Sequence, residues 1–449
     1  MVPIGDQPVR FHAEVAHGVT KIGTASKDKS TEFRVAVLFS MFGPYHLARL
    51  NALADRCRLL GIEGAVASDT YAWNAQSGGE RFKRVTLFED APISAQPAAL
   101  IQDRLEAALD AFAPDAVLVP GWSESAAFAM LNWALDNEIP AIVMSESTAF
   151  DVERKWWREG VKRRVLRLFS AALVGGRHHV DYLEQLGFQP DRISTGYDAI
   201  DNEYFARSVS TARQSHQNAR ARLGLSNAYF LASARFVERK NIGRLIDAFA
   251  HYRRQGGSQP WELVILGDGQ LRSVLQQKIV GYGLEKAVSM PGFKQYDELP
   301  MYYAFAGAFI HASTSEQWGL VVNEAAASGL PVIGSNRVGC VPELAVDGEN
   351  AFVFDPENVD ALAHAMTRLA AGDCHRAKMG EKSRTLVSKL GPKAFGDGAI
   401  QAVETAIGAP RVAFGPSDRA IIAYLRRTRN SYLSRSRSPN PPPRAIRPA

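Results

Sequence analysis

Glu316 and Glu324 stand eight positions apart in STSEQWGLVVNEAAASGL, the stretch from Ser313 to Leu330. Gly319 between them marks a turn from the end of a strand into a helix, which Gly329 then terminates. Glu316 is therefore expected to project from a loop and Glu324 from the first helical turn. Open α/β sheets bind ligands at such junctions, at the carboxyl ends of their strands. The backbone N–H groups of Leu320 and Val321 are expected to meet an anion at the positive end of the helix dipole. The plainer alternative is that a Glu at a helix start serves only as a favourable partner of that dipole.

The elements that would position these residues follow from the apolar pattern. FRVAVLF (33–39) is a dense apolar strand, followed by a loop with Gly43 and Pro44 and a helical pattern from Tyr45 to Leu60. Strands at 61–67, 115–120 and 141–145 alternate with helices at 97–112 and 123–137, and a short strand follows at 172–176. That order predicts a mostly parallel sheet. The pattern breaks at GYDAIDNEYF (196–205), read as a linker, and then restarts. Strands at 230–234, 262–267, 287–290, 308–312 and 331–335 alternate with helices, which predicts a second sheet of the same kind.

With these pieces in place, the chain resembles the family-four retaining glycosyltransferases of GT-B fold, whose signature is a Glu-x7-Glu element in the C-terminal domain. The likeness also rests on Arg235 and Lys240 in ASARFVERKN, the GDG turn at Gly267 to Gly269, Pro291–Gly292–Phe293, and GCVPE from Gly339 to Glu343. It implies an α/β architecture of two Rossmann-like domains facing each other across a cleft. It further implies that Glu316 touches hydroxyls of the donor sugar, Glu324 holds the ribose, and Arg235 and Lys240 neutralise the leaving diphosphate. Fixed cations and amide dipoles can do this where a metal is absent, so no metal or cofactor is expected. The segment at Phe293 and Lys294 is expected to wall the base, and Gly43 to let the first loop approach the diphosphate. A histidine that the family often places after a later strand is missing from Ser145–Thr148. Glu146 and His46 are the candidates for the acceptor side.

The implied function is transfer of a sugar from UDP or GDP to a hydroxyl acceptor, lipid-linked or a growing polysaccharide, with retained configuration. The alternatives are a sugar-nucleotide epimerase of the same fold and an inactive sugar-nucleotide sensor. Expected boundaries are a flexible leader (1–32), an acceptor domain (33–200), a donor domain (201–395), C-terminal helices (396–433) and a disordered Arg/Pro/Ser tail (434–449).

With 46% hydrophobic and 22% charged residues the chain can bury a sizeable core, which excludes wholesale disorder. Its three cysteines form no C-x-x-C pair, which points to a reducing cytosol. No apolar run approaches the ~18 residues of a membrane span. The expected location is cytoplasmic, or peripheral at the inner face of the membrane. The net charge of +5 is carried by the end of the chain, because residues 409–449 hold nine arginines and one acid, Asp418. That tail is read as a loose electrostatic tether, with nucleic acid an unfavoured partner. A second basic segment lies at KWWREGVKRRVLRLF (155–169). Trp157, Val161, Val165 and Leu168 form one apolar stripe there, ringed by Lys155, Arg158, Lys162, Arg163, Arg164 and Arg167. It suggests an interfacial helix on an anionic bilayer. The alternative is a stripe packed on the core with arginines facing water.

Overall fold

The computed structural model describes residues 32–66, 78–122, 124–214, 220–255 and 260–427. The expected leader (1–32, but for its last residue) and the expected disordered tail (434–449) lie outside them. Both sheets belong to one unit, which begins at Phe33.

Among the described residues, seven parallel strands make the first sheet: β1 (Arg34–Phe39), β2 (Arg58–Ala65), β3 (Lys83–Phe88), β4 (Ala116–Pro120), β5 (Ala141–Ser145), β6 (Ala171–Val174) and β7 (Ile193–Thr195). Their spatial order is β3-β2-β1-β4-β5-β6-β7. The second sheet comprises β8 (Tyr229–Ser233), β9 (Glu262–Leu266), β10 (Val288–Gly292), β11 (Ala308–His311), β12 (Val332–Ser335) and β13 (Ala351–Phe354), ordered β10-β9-β8-β11-β12-β13. All pairings are parallel. Helices cover both faces, so the central strands are apolar throughout: Val35 to Phe39 are all buried. Each sheet has an apolar layer on either side.

Each order reverses once, between β1 and β4 and between β8 and β11, and loops leaving adjacent strands there diverge to opposite faces. Gly43 follows β1, while Arg235 and Lys240 follow β8 and Glu316 follows β11. The sheet order thus gathers the chemistry at two crevices.

The chain then returns to its first sheet. Helix Pro392–Gly408 buries Phe395, Ala399, Ala402, Val403 and Ala406 among Val35, Val37 and Leu118. Helix Pro416–Arg427 adds Ile422 and Leu425 to the opposite layer. This corrects the reading of residues 409–449 as one loose tether: Arg411 and Arg419 pair with Glu138 and Asp136 of the first domain.

Candidate active site in the cleft

Lys240 ends a short 3-10 turn, Glu238–Lys240, which Asn241 pins down. Asn241 is left-handed (φ 58°), and its Nδ2 donates to the carbonyls of Ala312 (3.0 Å) and Pro356 (2.8 Å). Thr314 N donates to Arg239 O at 2.9 Å, so the loops after β8 and β11 are stitched together. On that frame the Lys240 ammonium donates to Glu316 Oε2. His311 Nε2 lies 3.5 Å from the same oxygen, with Ser313 Oγ at 3.4 Å.

Burial alone would raise the Glu316 carboxyl, but Lys240, His311 and Arg239 outweigh it and hold the acid well below the ordinary carboxylate range. Glu316 is therefore a fixed anion. Burial lowers Lys240, against the pull of Glu316, and Arg239 and Arg235 add to the lowering, which places both guanidiniums in its field. Arg235 itself is exposed at the end of β8. The sequence motifs brought Arg235, Lys240 and Glu316 into view; His311 and Arg239 gave no separate signal, because a strand-end histidine and a second arginine are common in any loop.

Gly319 (φ 101°) is the left-handed cap of helix Leu320–Ala327; its carbonyl accepts from Val322 N at 2.8 Å, and the N–H groups of Leu320 and Val321 come before the first intrahelical bond. Because the helix begins only at Leu320, Glu324 is its fifth residue. It stands in the second turn rather than the first, points inward, and is only 1% exposed. Its Oε1 accepts from Tyr45 OH of the first domain, and its Oε2 from Tyr303 OH at 2.7 Å. Burial pushes its carboxyl up to about 7, against the lowering effect of both phenols.

That shift has a stability consequence. Glu324 has an ordinary value of 4.5, so the folded chain holds its proton more tightly than the unfolded chain. The resulting stabilisation is full below pH 4.5 and is lost as pH rises to about 7. Glu324→Gln is expected to match the wild type at pH 4.5 and to exceed its stability by up to about 3 kcal/mol at pH 8. Thermal melts of both proteins across this range check it.

On the other side of the cleft, Gly43 is extended and caps helix Pro44–Ala54. Its N–H donates to His46 Nδ1 at 3.1 Å, and the His46 ring lies 4.4 Å from that of Phe39. Burial, helped by Arg49, lowers His46 to about 3, so it is a neutral imidazole. Glu146 follows β5 and lines a cavity of about 210 Å³ with Ser145, Asp151, Arg154, Tyr197 and Gln317. Asp198, 1% exposed, has Arg49 Nη2 at 3.9 Å. Burial and then the nearby Glu146 raise its carboxyl well above the ordinary range. Nothing in the local pattern of GYDAID marked Asp198.

Gly267 (φ 118°) begins the GDG turn, where a Cβ would stand 1.9 Å from the carbonyl oxygen of Ala234. This close approach brings the β8 and β9 loops together. Phe293 follows the left-handed Gly292 and is 40% exposed at the β10 edge, and Lys294 pairs with Glu298 at 3.3 Å.

The apolar stripe of the basic segment takes the second of its two readings, a stripe packed on the core. In helix Trp156–Leu166, Val165 and Leu166 are buried, Leu168 follows them inward, and Val161 packs on the same core. Lys162 is only 2% exposed, because its ammonium donates to Glu159 (3.0 Å) and Tyr182 (2.8 Å), and Arg164 pairs with Asp418 at 2.9 Å. What faces outward is Lys155, Arg163, Arg167, Trp156 (87% exposed) and Trp157 (38%).

Residues 215–386 match the profile of the family described as Glycosyl transferases group 1. The chain is 33% identical over 168 residues to the alpha-monoglucosyldiacylglycerol synthase of Acholeplasma laidlawii, covering 37% of this chain and 41% of that protein. It is 30% identical over 227 residues to a GDP-mannose-dependent alpha-(1-6)-phosphatidylinositol monomannoside mannosyltransferase of Mycobacterium tuberculosis, covering 45% and 58%. The chain spans about half the length of the curated relatives it matches. HepE of Anabaena in complex with UDP and glucose superposes with a TM-score of 0.64 at 18% identity, over 83% of this chain and all of that one. The two facing sheets are thus the GT-B fold.

Proposed function

We propose, from the match of residues 215–386 to the group 1 glycosyltransferases, that the chain moves a sugar from a nucleoside diphosphate, UDP or GDP, to a hydroxyl acceptor with retention of configuration. The observation that carries this is the Glu316 carboxylate held between Lys240 and His311, directly before the open N–H groups of helix Leu320–Ala327. A diphosphate leaving the sugar gathers negative charge at one point. Lys240, with Arg235 and Arg239 around it and the helix dipole behind it, supplies fixed positive charge there. Glu316 then receives the hydroxyls of the donor sugar, Glu324 the ribose, and the Gly43 and Phe293 loops border the diphosphate and base. As the bond from the anomeric carbon to the phosphate oxygen breaks, the acceptor oxygen bonds to that carbon on the same face and its proton passes to the leaving phosphate. Glu146, beside Asp198, and the neutral His46 lie on the acceptor side.

Incubation with UDP- and GDP-sugars tests this reading. The expected result is release of the nucleoside diphosphate that is unaffected by EDTA, because protein cations and amides carry the leaving charge. Tight nucleotide-sugar binding without release or transfer, or EDTA inhibition reversed by magnesium or manganese, contradicts the corresponding part of it.

We also propose that the acceptor is lipid-linked and met at an anionic membrane surface. Support comes from the exposed Trp156 and Trp157 among Lys155, Arg163 and Arg167, a composition suited to the headgroup region. No helix among the described residues is long and apolar enough to cross a membrane. Vesicle sedimentation is expected to show salt-sensitive binding that needs anionic lipid and falls at least several-fold in Trp156→Ser/Trp157→Ser. Loss only on removal of residues 428–449 assigns the contact to the terminus instead.

A further inference from the structure

We propose that Tyr45 is a gate on the nucleoside site: it reaches across the cleft and holds the Glu324 carboxylate that a donor's ribose needs, so the donor binds only as Tyr45 withdraws. This rests on the reading of Glu324 as the ribose partner.

The placement of Tyr45 is local in origin. Gly43 is an extended N-cap and Pro44 occupies the first position of helix Pro44–Ala54, which sets Tyr45 on the opening turn at the end of β1. From there its hydroxyl donates to Glu324 Oε1. Its ring meets Tyr296 edge to face at 5.6 Å, and Tyr296 stacks on Tyr204 at 4.6 Å. Tyr296 follows Phe293 on the loop proposed to border the base, so the phenol lies along the path between base and ribose positions. The second carboxylate oxygen is held by Tyr303, on helix Leu299–Phe305 of the same domain as Glu324.

The two tyrosines differ in consequence. Tyr303 is fully buried in the apolar layer against which the half-buried Tyr45 packs, so its bond can persist while a ligand arrives from the cleft. Tyr45 comes from the cleft side. With it in place Glu324 is 1% exposed and has no face open to a ribose. A ribose hydroxyl and the Tyr45 hydroxyl are both donors to one acceptor, so they compete, and the apparent affinity for nucleotide is reduced by the fraction of chains with the gate shut.

Calorimetric titration of the full chain with UDP and GDP at pH 8, where Glu324 is ionised, tests the gate. Tyr45→Phe keeps the ring and removes the competing donor; it is expected to tighten nucleotide binding about tenfold, the worth of one hydrogen bond to a charged acceptor. Tyr303→Phe is expected to give no tightening, and Tyr45→Phe in a Glu324→Gln background less than half the effect seen in the wild type. Unchanged or weaker binding by Tyr45→Phe, while Glu324→Gln still weakens binding and the wild type prefers UDP to 2′-deoxy-UDP, overturns the gate and leaves the ribose reading standing. Equal tightening by Tyr303→Phe also overturns it, since any loss of a carboxylate partner would then suffice. If Glu324→Gln has no effect and the deoxy nucleotide binds as well as UDP, or if neither nucleotide binds, the ribose reading falls and the gate with it.

Discussion

Replacing Glu316 by alanine is expected to lower turnover by about 10² to 10³ while nucleotide affinity stays within a few-fold of wild type. The carboxylate is ionised and fixed, with Lys240 and His311 on one oxygen, so it reorganises little as charge develops on the departing diphosphate and the sugar. Interactions made more strongly in the transition state than in the ground state appear in kcat, whereas a ribose contact persists through both. Glu324→Ala should therefore chiefly raise the donor KM. Steady-state kinetics with the donor that the wild type uses, together with calorimetric nucleotide affinities, separate the two roles. If both variants keep full turnover at saturating donor, the assignment of both residues is wrong.

Lys240→Met should cost both stability and catalysis. Lys240 and Glu316 are each largely buried, and removing one partner of such a pair leaves an uncompensated charge, at a cost of about 3–5 kcal/mol. Restoring neutrality with Lys240→Met/Glu316→Leu should recover most of that stability, because two apolar groups of similar size need no desolvated charge. Turnover should not recover, since the double variant has neither the cation for the diphosphate nor the carboxylate for the sugar. Denaturant unfolding of the three proteins, run beside kinetics, checks this; a double variant as unstable as Lys240→Met would show that the pair's geometry, not its charge, holds the two loops together.

How far this site could be read in advance depends on the range over which each feature is encoded. Apolar runs such as FRVAVLF, ended by glycine turns, declare strands and strand ends within a few residues, because burial on both faces of a parallel sheet demands them. The type and order of the central elements, and the placing of Lys240 and Glu316 just beyond strand ends, were legible for that reason. β3, β7 and β13 were not, since these edge or terminal strands are short or only partly buried. Nor was the Lys162 contact: the stripe on helix Trp156–Leu166 is a local periodicity, but a buried lysine needs Glu159 and Tyr182 to meet it.

By itself, then, the sequence determined two doubly wound sheets and a set of polar residues at their strand ends, because periodicity and turn chemistry act over a few residues. Only the tertiary structure decided which of those residues meet. Lys240 and Glu316, 76 positions apart, touch because β8 and β11 are neighbours at the reversal of the second sheet. Tyr45 and Glu324, 279 positions apart, touch because the two sheets present their carboxyl ends to one cleft. Such pairings depend on strand order and on the packing of one sheet against the other, which no local pattern carries.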